Sequence, residues 1–237
     1  MKYKLTKTTK EVYGIKFYQI EALKDFANVK KGDRGGWIEK ESNLSQAGDA
    51  WVYGNAEVFG NAKVYGNAWV YGNAWVYGDA EVYGDAEVYG NAEVYGNAEV
   101  YGDAKVYGDA KVYGNAEVYG NAEVYGNAWV CGNAKVYGNA EVYGDAAEVY
   151  GNAKVYGNAE VYGNARVYGN ARVYKLKLIG GYFYHTKEKS ETIEKVEQDD
   201  CEILCKEPKL AEPEKPAGKK VKIKVEGGQI LEGEIID

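Results

Sequence analysis

Histidine, cysteine and proline are scarce in this chain, and each scarcity closes off a class of function. Among 237 residues there is one histidine, His185, and there are three cysteines, Cys131, Cys201 and Cys205. Three cysteines do not make a disulfide framework. Cys201 and Cys205 have a spacing that begins a metal site, but structural zinc needs four ligands and only His185 is at hand to join them, so no metal is expected. The three prolines, Pro208, Pro213 and Pro216, fall in one stretch, 207–220, which reads as an extended linker. No apolar run approaches the length of a membrane span, and the basic amino terminus lacks the apolar core of a secretory signal. The expectations are a cytoplasmic protein and no membrane partner. Nothing resembles a phosphate loop or a nucleophile elbow, and no cofactor is implied.

The net charge is −7 and unevenly divided. Residues 1–47 carry ten basic against six acidic side chains, and residues 48–174 carry seven against sixteen. An acidic rod is a poor phosphate binder, so nucleic acid is not an expected partner.

What the chain has in abundance is one unit, Gly-(Asn/Asp)-Ala-x-Val-Tyr, repeated twenty-one times from Gly48 to Tyr174, with Phe59 and Cys131 replacing Tyr in two copies. Twenty copies are six residues long; the copy at 144–150 (GDAAEVY) has one extra residue at Ala146-Ala147. A hexapeptide period belongs to parallel β-solenoids, in which stacked repeats bury the apolar face that no single repeat can. The segment Ala-x-Val-Tyr has the period-2 pattern of a short strand. Position x holds ten Glu, five Lys and two Arg. Turning x and Tyr inward would bury a column of charges at several kcal/mol each. Ala and Val therefore face in, and Tyr and x face out. Gly with Asn or Asp supplies the corner.

Three corners close a triangle of eighteen residues. This geometry resembles the left-handed parallel β-helix of the hexapeptide-repeat superfamily, and the handedness is what that resemblance implies. The fold class is then all-β: about seven triangular coils (48–174), an N-terminal cap (1–47), a C-terminal cap region (175–206), the linker, and a small β-hairpin tail (221–237). Stacking at eighteen residues puts Tyr over Tyr along each edge and Asn over Asn at corners, suited to offset ring stacking and to amide hydrogen bonds. Because the units are nearly interchangeable, the extra alanine and the two ends are expected to fix the frame.

The head gives a second resemblance. Ile20-x-Ala22-Leu23-x-Asp25-Phe26-x-x-Val29-x-x-Gly32-x-x-Gly35-Gly36-Trp37-Ile38-Glu39, then Asn43-Leu44-Ser45-Gln46, is similar to the head of bacterial and phage-encoded hexapeptide-repeat proteins, some of them transferase-like. Within it, residues 12–23 suggest one or two short strands and Trp37 a packing anchor. Beyond the array, residues 176–184 (LKLIGGYFY) look like a strand pair around Gly180-Gly181.

The candidate site is aromatic. Trp51, Trp69 and Trp75 occupy outward positions of the first two coils, beside Tyr53, Tyr71 and Tyr77. Such a patch is either covered by the head or a partner, or is a stacking platform for a sugar or a base. Acyltransferases of the superfamily use a His base and cofactor grooves between subunits of a trimer, and the array has no His. The leading reading is a non-catalytic structural or binding protein, phage- or prophage-related by its head. It would act through self-association, as a dimer or trimer, or through a host protein. The alternatives are a binder that sequesters a nucleotide signal or sugar, and a divergent acyltransferase using His185.

Overall fold

Each hexad folds as a brief extended segment and a corner, and the corner depends on glycine. Gly84 has φ +73°, and a Cβ built there would stand 2.8 Å from the backbone nitrogen of Gly102 one coil on. Any other residue at that corner meets both backbone strain and a neighbour. After each corner, three N–H groups donate to the next coil. In the first hexad Trp51 donates to the Ala68 carbonyl (3.0 Å), Tyr53 to Val70 (2.8 Å) and Asn55 to Gly72 (2.9 Å). The computed structural model describes residues 1–185 and the strands Lys219–Lys224 and Ile230–Ile235.

The result is a three-sided parallel solenoid. On one face Trp51 pairs with Trp69, Trp69 with Glu87 and Glu87 with Lys105. On the second, Glu57 pairs with Trp75 and Trp75 with Glu93; on the third, Lys63 pairs with Glu81 and Glu81 with Glu99. Every array valine is almost fully buried, as is the alanine two residues before it. The tyrosines lie outside in stacks, with Tyr83 and Tyr101 4.9 Å apart at 3° and Tyr107 and Tyr125 4.8 Å apart at 2°. Corner amides link coils, as in Asn97 to Asn115 (3.0 Å) and Asn115 to Asn133 (3.1 Å). The extra alanine is absorbed at one corner: Ala147 takes the buried place, Gly144 opens to φ +108°, and register moves from eighteen to nineteen between Trp129 and Glu148.

The solenoid is longer than its repeats. At the start, Trp37 pairs with Glu57 and Leu44 bridges to Val64, so the head itself supplies two rungs. At the far end, residues 176–184 are not a strand pair. Lys177–His185 is one strand running parallel to Glu160–Gly169, with Leu178 opposite Val161 and Phe183 opposite Val167. Gly180-Gly181 is a shortened solenoid corner with Gly181 at φ +90°, so the chain keeps winding instead of reversing. With these rungs the solenoid has about eight turns.

The head is a longer hairpin than residues 12–23 suggested. β1 (Tyr3–Val12) pairs antiparallel with β2 (Ile15–Ala22) around Tyr13-Gly14, and β2 pairs with β3 (Arg34–Ile38). Its polar sequence hides β1, of which only Tyr3 is fully buried. The anchor is also different: Trp37 is half-buried, with the Lys10 ammonium 4.5 Å from its ring centre, whereas Trp51 is wholly enclosed. Tyr3 and Phe26 meet the Trp51 indole edge-on at 6.2 and 5.3 Å. Gly35 makes this approach possible, because a Cβ there would sit 2.6 Å from the indole.

The tail strands Lys219–Lys224 and Ile230–Ile235 pair antiparallel from Lys219–Ile235 to Lys224–Ile230, so pairing begins two residues inside the stretch read as linker. Cys201, Cys205 and the prolines lie outside the described residues.

Candidate binding groove

The outer surface of the array is largely self-satisfied. Because x of the next coil lies sixteen residues beyond a Tyr, or seventeen across the extra alanine, a phenol reaches a Glu placed there. Eight tyrosines donate in this way, among them Tyr65 to Glu81 (2.7 Å), Tyr83 to Glu99 (2.8 Å) and Tyr125 to Glu141 (2.9 Å). The two remaining array glutamates are ion-paired, Glu57 with Lys10 at 2.6 Å and Glu148 with Arg166 at 3.4 Å. The phenols respond as expected for stacked, partly dry hydroxyls beside carboxylates. Burial, and then the Glu99 carboxylate, hold Tyr83 well above the ordinary phenol range. The Lys63 ammonium and the Tyr65 hydroxyl hold Glu81 below the usual carboxylate range.

The run Glu81, Glu99, Glu117 therefore consists of carboxylates each holding a phenol, flanked by Lys63–Glu81 (2.9 Å) and Lys135–Glu117 (2.6 Å). Cys131 takes a tyrosine position next to Tyr113, and burial pushes its thiol up, which leaves it a poor nucleophile. His185 contributes its backbone opposite Gly169 at the end of the strand Lys177–His185.

The structure separates the six aromatic residues singled out in the sequence. Trp51 is fully buried under the head. Trp75 and Tyr77 lie on the neighbouring face, where Trp75 meets Tyr13 (6.2 Å), Phe59 (6.3 Å) and Tyr77 (6.5 Å) edge-on. Trp69, Tyr53 and Tyr71 stay together and line an open groove of about 620 Å³ where the head overhangs the rod. Its other walls are Asp49, Asn67, Asp85, Glu87 and the head residues Ala27 and Asn28.

Three structural elements place these groups. Asp49, Asn67 and Asp85 are consecutive corners of one column, and the Asn67 amide donates to Asp85 at 3.0 Å. Trp69 and Glu87 are successive x positions on the same face, and the Tyr71 hydroxyl donates to Glu87 at 2.6 Å. The overhang is a tight turn: Phe26 and Val29 exchange backbone hydrogen bonds (3.0 and 2.8 Å), which leaves Ala27 and Asn28 at the tip. Ala27 takes φ +41°, a conformation that disfavours any side chain. Among the described residues, Asp49, Asp85 and Glu87 are in no ion pair. Lys2 is buried behind the Asp49 corner, with its ammonium donating to Ala50 (2.6 Å) and Gly48 (3.3 Å) carbonyls. Burial lowers Lys2 to about 8.

The sequence pattern alone does not find this groove. The acidic corner Asp49/Asp85 and the x positions Trp69/Glu87 read as separate columns, and nothing in the repeats places the Ala27-Asn28 turn above them.

Comparison with known proteins agrees with the fold. A family profile described as the YdcK β-solenoid repeat matches residues 62–78 and 159–175. A 35-residue stretch is 49% identical to a protein of Escherichia coli (strain K12) named "Uncharacterized acetyltransferase YdcK". That match covers 15% of this chain and 11% of the relative's length, so it likens the two at the level of the repeat.

Proposed function

We propose that this chain is a non-catalytic binding scaffold, a stiff acidic rod that acts through its surface on a partner or on further copies of itself. The observation that carries this reading is that every glutamate at position x of the array is already held, eight by tyrosine hydroxyls and two by cations. A general base needs a carboxylate or imidazole that is poised and sheltered, and these carboxylates are committed to joining coils. The head motif supports the same view, because its residues have structural employment. Gln46 accepts from the backbone of Lys2 (2.7 Å) and Tyr3 (3.2 Å), Asn43 donates to Gly60 (3.1 Å) and Ala62 (2.9 Å), and Glu39 accepts from Gly60 (2.7 Å). It closes the open end of a sheet that would otherwise recruit other chains. The likeness of the head to phage-encoded proteins supports a phage or prophage setting within this reading, and dimer or trimer formation belongs to it too.

The name of the matched relative favours a second reading, acyl transfer, which would have to use His185. The two separate cleanly. Purified protein given acyl-coenzyme A and a panel of amine and hydroxyl acceptors is expected to release no free thiol above background. Thiol release that disappears in His185→Ala establishes the transferase and removes the scaffold reading.

A further inference from the structure

The groove under the head has a chemical preference, and this step rests on the reading of the rod as a binder. We propose that it binds an organic cation, a guanidinium or alkylated ammonium group, presented free or on a polypeptide side chain. Three observations converge. Its carboxylates, Asp49, Asp85 and Glu87, lie in no ion pair with a described residue, although both Asp85 and Glu87 accept a neutral hydrogen bond that leaves their charge intact. They line the same groove as the half-buried ring of Trp69, and a cation over an indole face is attracted beyond its charge pairing. Asp49 and Asp85 are two coils apart, roughly 10 Å along the rod at one strand spacing per coil. That separation suits a cation with an extended body more than a bare ion, and no acidic cluster among the described residues is compact enough to hold a metal.

The same features turn other ligands away. A nucleotide or acyl-coenzyme A would bring phosphates into a site whose three carboxylates face only one cation among the described residues, the Lys2 ammonium buried behind Asp49. A neutral sugar would stack on Trp69 but leave those charges uncompensated. The volume, about 620 Å³, falls within the range of small-ligand sites.

Calorimetric titration of the full chain tests this with agmatine, a short peptide containing two arginines, the same peptide with citrulline in their place, maltose and acyl-coenzyme A. Agmatine and the arginine peptide are expected to saturate, to weaken at least tenfold when salt rises from 50 to 500 mM (roughly the loss of one to two screened contacts), and to outbind the citrulline peptide. The double variant D85N/E87Q is expected to lose at least tenfold in affinity while melting like the parent, since glutamine still accepts the Tyr71 hydroxyl. Trp69→Ala should lose a similar amount, and Trp75→Phe, on the neighbouring face, should lose nothing. An arginine peptide that binds far more tightly than agmatine identifies a polypeptide as the source; equal binding identifies a free cation. Absence of saturation, indifference to D85N/E87Q, or equal binding of maltose or citrulline peptide overturns the proposal. Those results leave the scaffold reading standing, which only acyl-coenzyme A turnover would remove.

Discussion

The second residue of the chain shows how the head is tied down. Lys2 is almost fully buried, its ammonium held by two backbone carbonyls at the Asp49 corner and lying 5.2 Å from the ring centre of Phe26. Burial lowers its folded pKa to about 8, whereas the unfolded chain keeps the ordinary value of 10.5. Below pH 8 both states are protonated and the burial penalty is present in full. Between pH 8 and 10.5 the native state has lost a proton that the unfolded state retains, so stability rises with pH. From pH 7.5 to 9.5 the gain is on the order of 2 kcal/mol in the unfolding free energy of the head. Chemical denaturation of the parent and of Lys2→Met across that window should show the parent gaining on the variant by that amount. The raised pKa values of the array tyrosines add stability that begins to fall as pH nears their ordinary value of 10.0, but they titrate alike in both chains and cancel in the difference.

At the scale of the repeat, corner and rung carry very different loads. Gly84→Ala forces a side chain into φ +73° and against the Gly102 backbone at 2.8 Å, with no flexible atom to yield. Tyr101→Phe keeps a ring 4.9 Å from Tyr83 and 4.9 Å from Tyr119 and removes only a 3.3 Å hydrogen bond to Glu117. The alanine should cost about 2 kcal/mol or more and the phenylalanine about 0.5–1 kcal/mol. Hydrogen exchange resolves the contrast, with amides of the coils around Gly84 losing protection while those around Tyr101 change little.

This division explains what the sequence disclosed. Which side of Ala-x-Val-Tyr faces inward was legible because burying charges such as Glu99 and Lys105 costs far more than any rival term. Stacked tyrosines and corner asparagines followed from the eighteen-residue repeat. The phenol–glutamate bonds were equally present, sixteen residues from Tyr83 to Glu99, but lie diagonally between columns. Gly180-Gly181 misled because two glycines serve a hairpin and a solenoid corner alike. Trp51 and Trp69 occupy units that differ only at the corner, Asp49 against Asn67, so it is the fold of the head that makes one an anchor and the other a groove wall.

At the scale of the molecule, the head decides whether the rod ends. β3 and Leu44 occupy the rungs beneath Glu57 and Val64, and Tyr3, Ile20 and Phe26 cover the indole of Trp51. Removing residues 1–33 would uncover a large ring and leave that end of the sheet without its covering hairpin. Unpaired strand edges and apolar ends recruit their like, so a truncated rod should associate end to end. Multi-angle light scattering over a concentration series is the measurement. The truncated chain should grow in mean mass with concentration beyond whatever assembly the parent forms. Trp51→Glu in the truncated chain, which puts a charge on the bared end, should return it towards the parent's mass. A truncated chain of constant mass would mean that the hexads close their own end and that the head serves the groove alone.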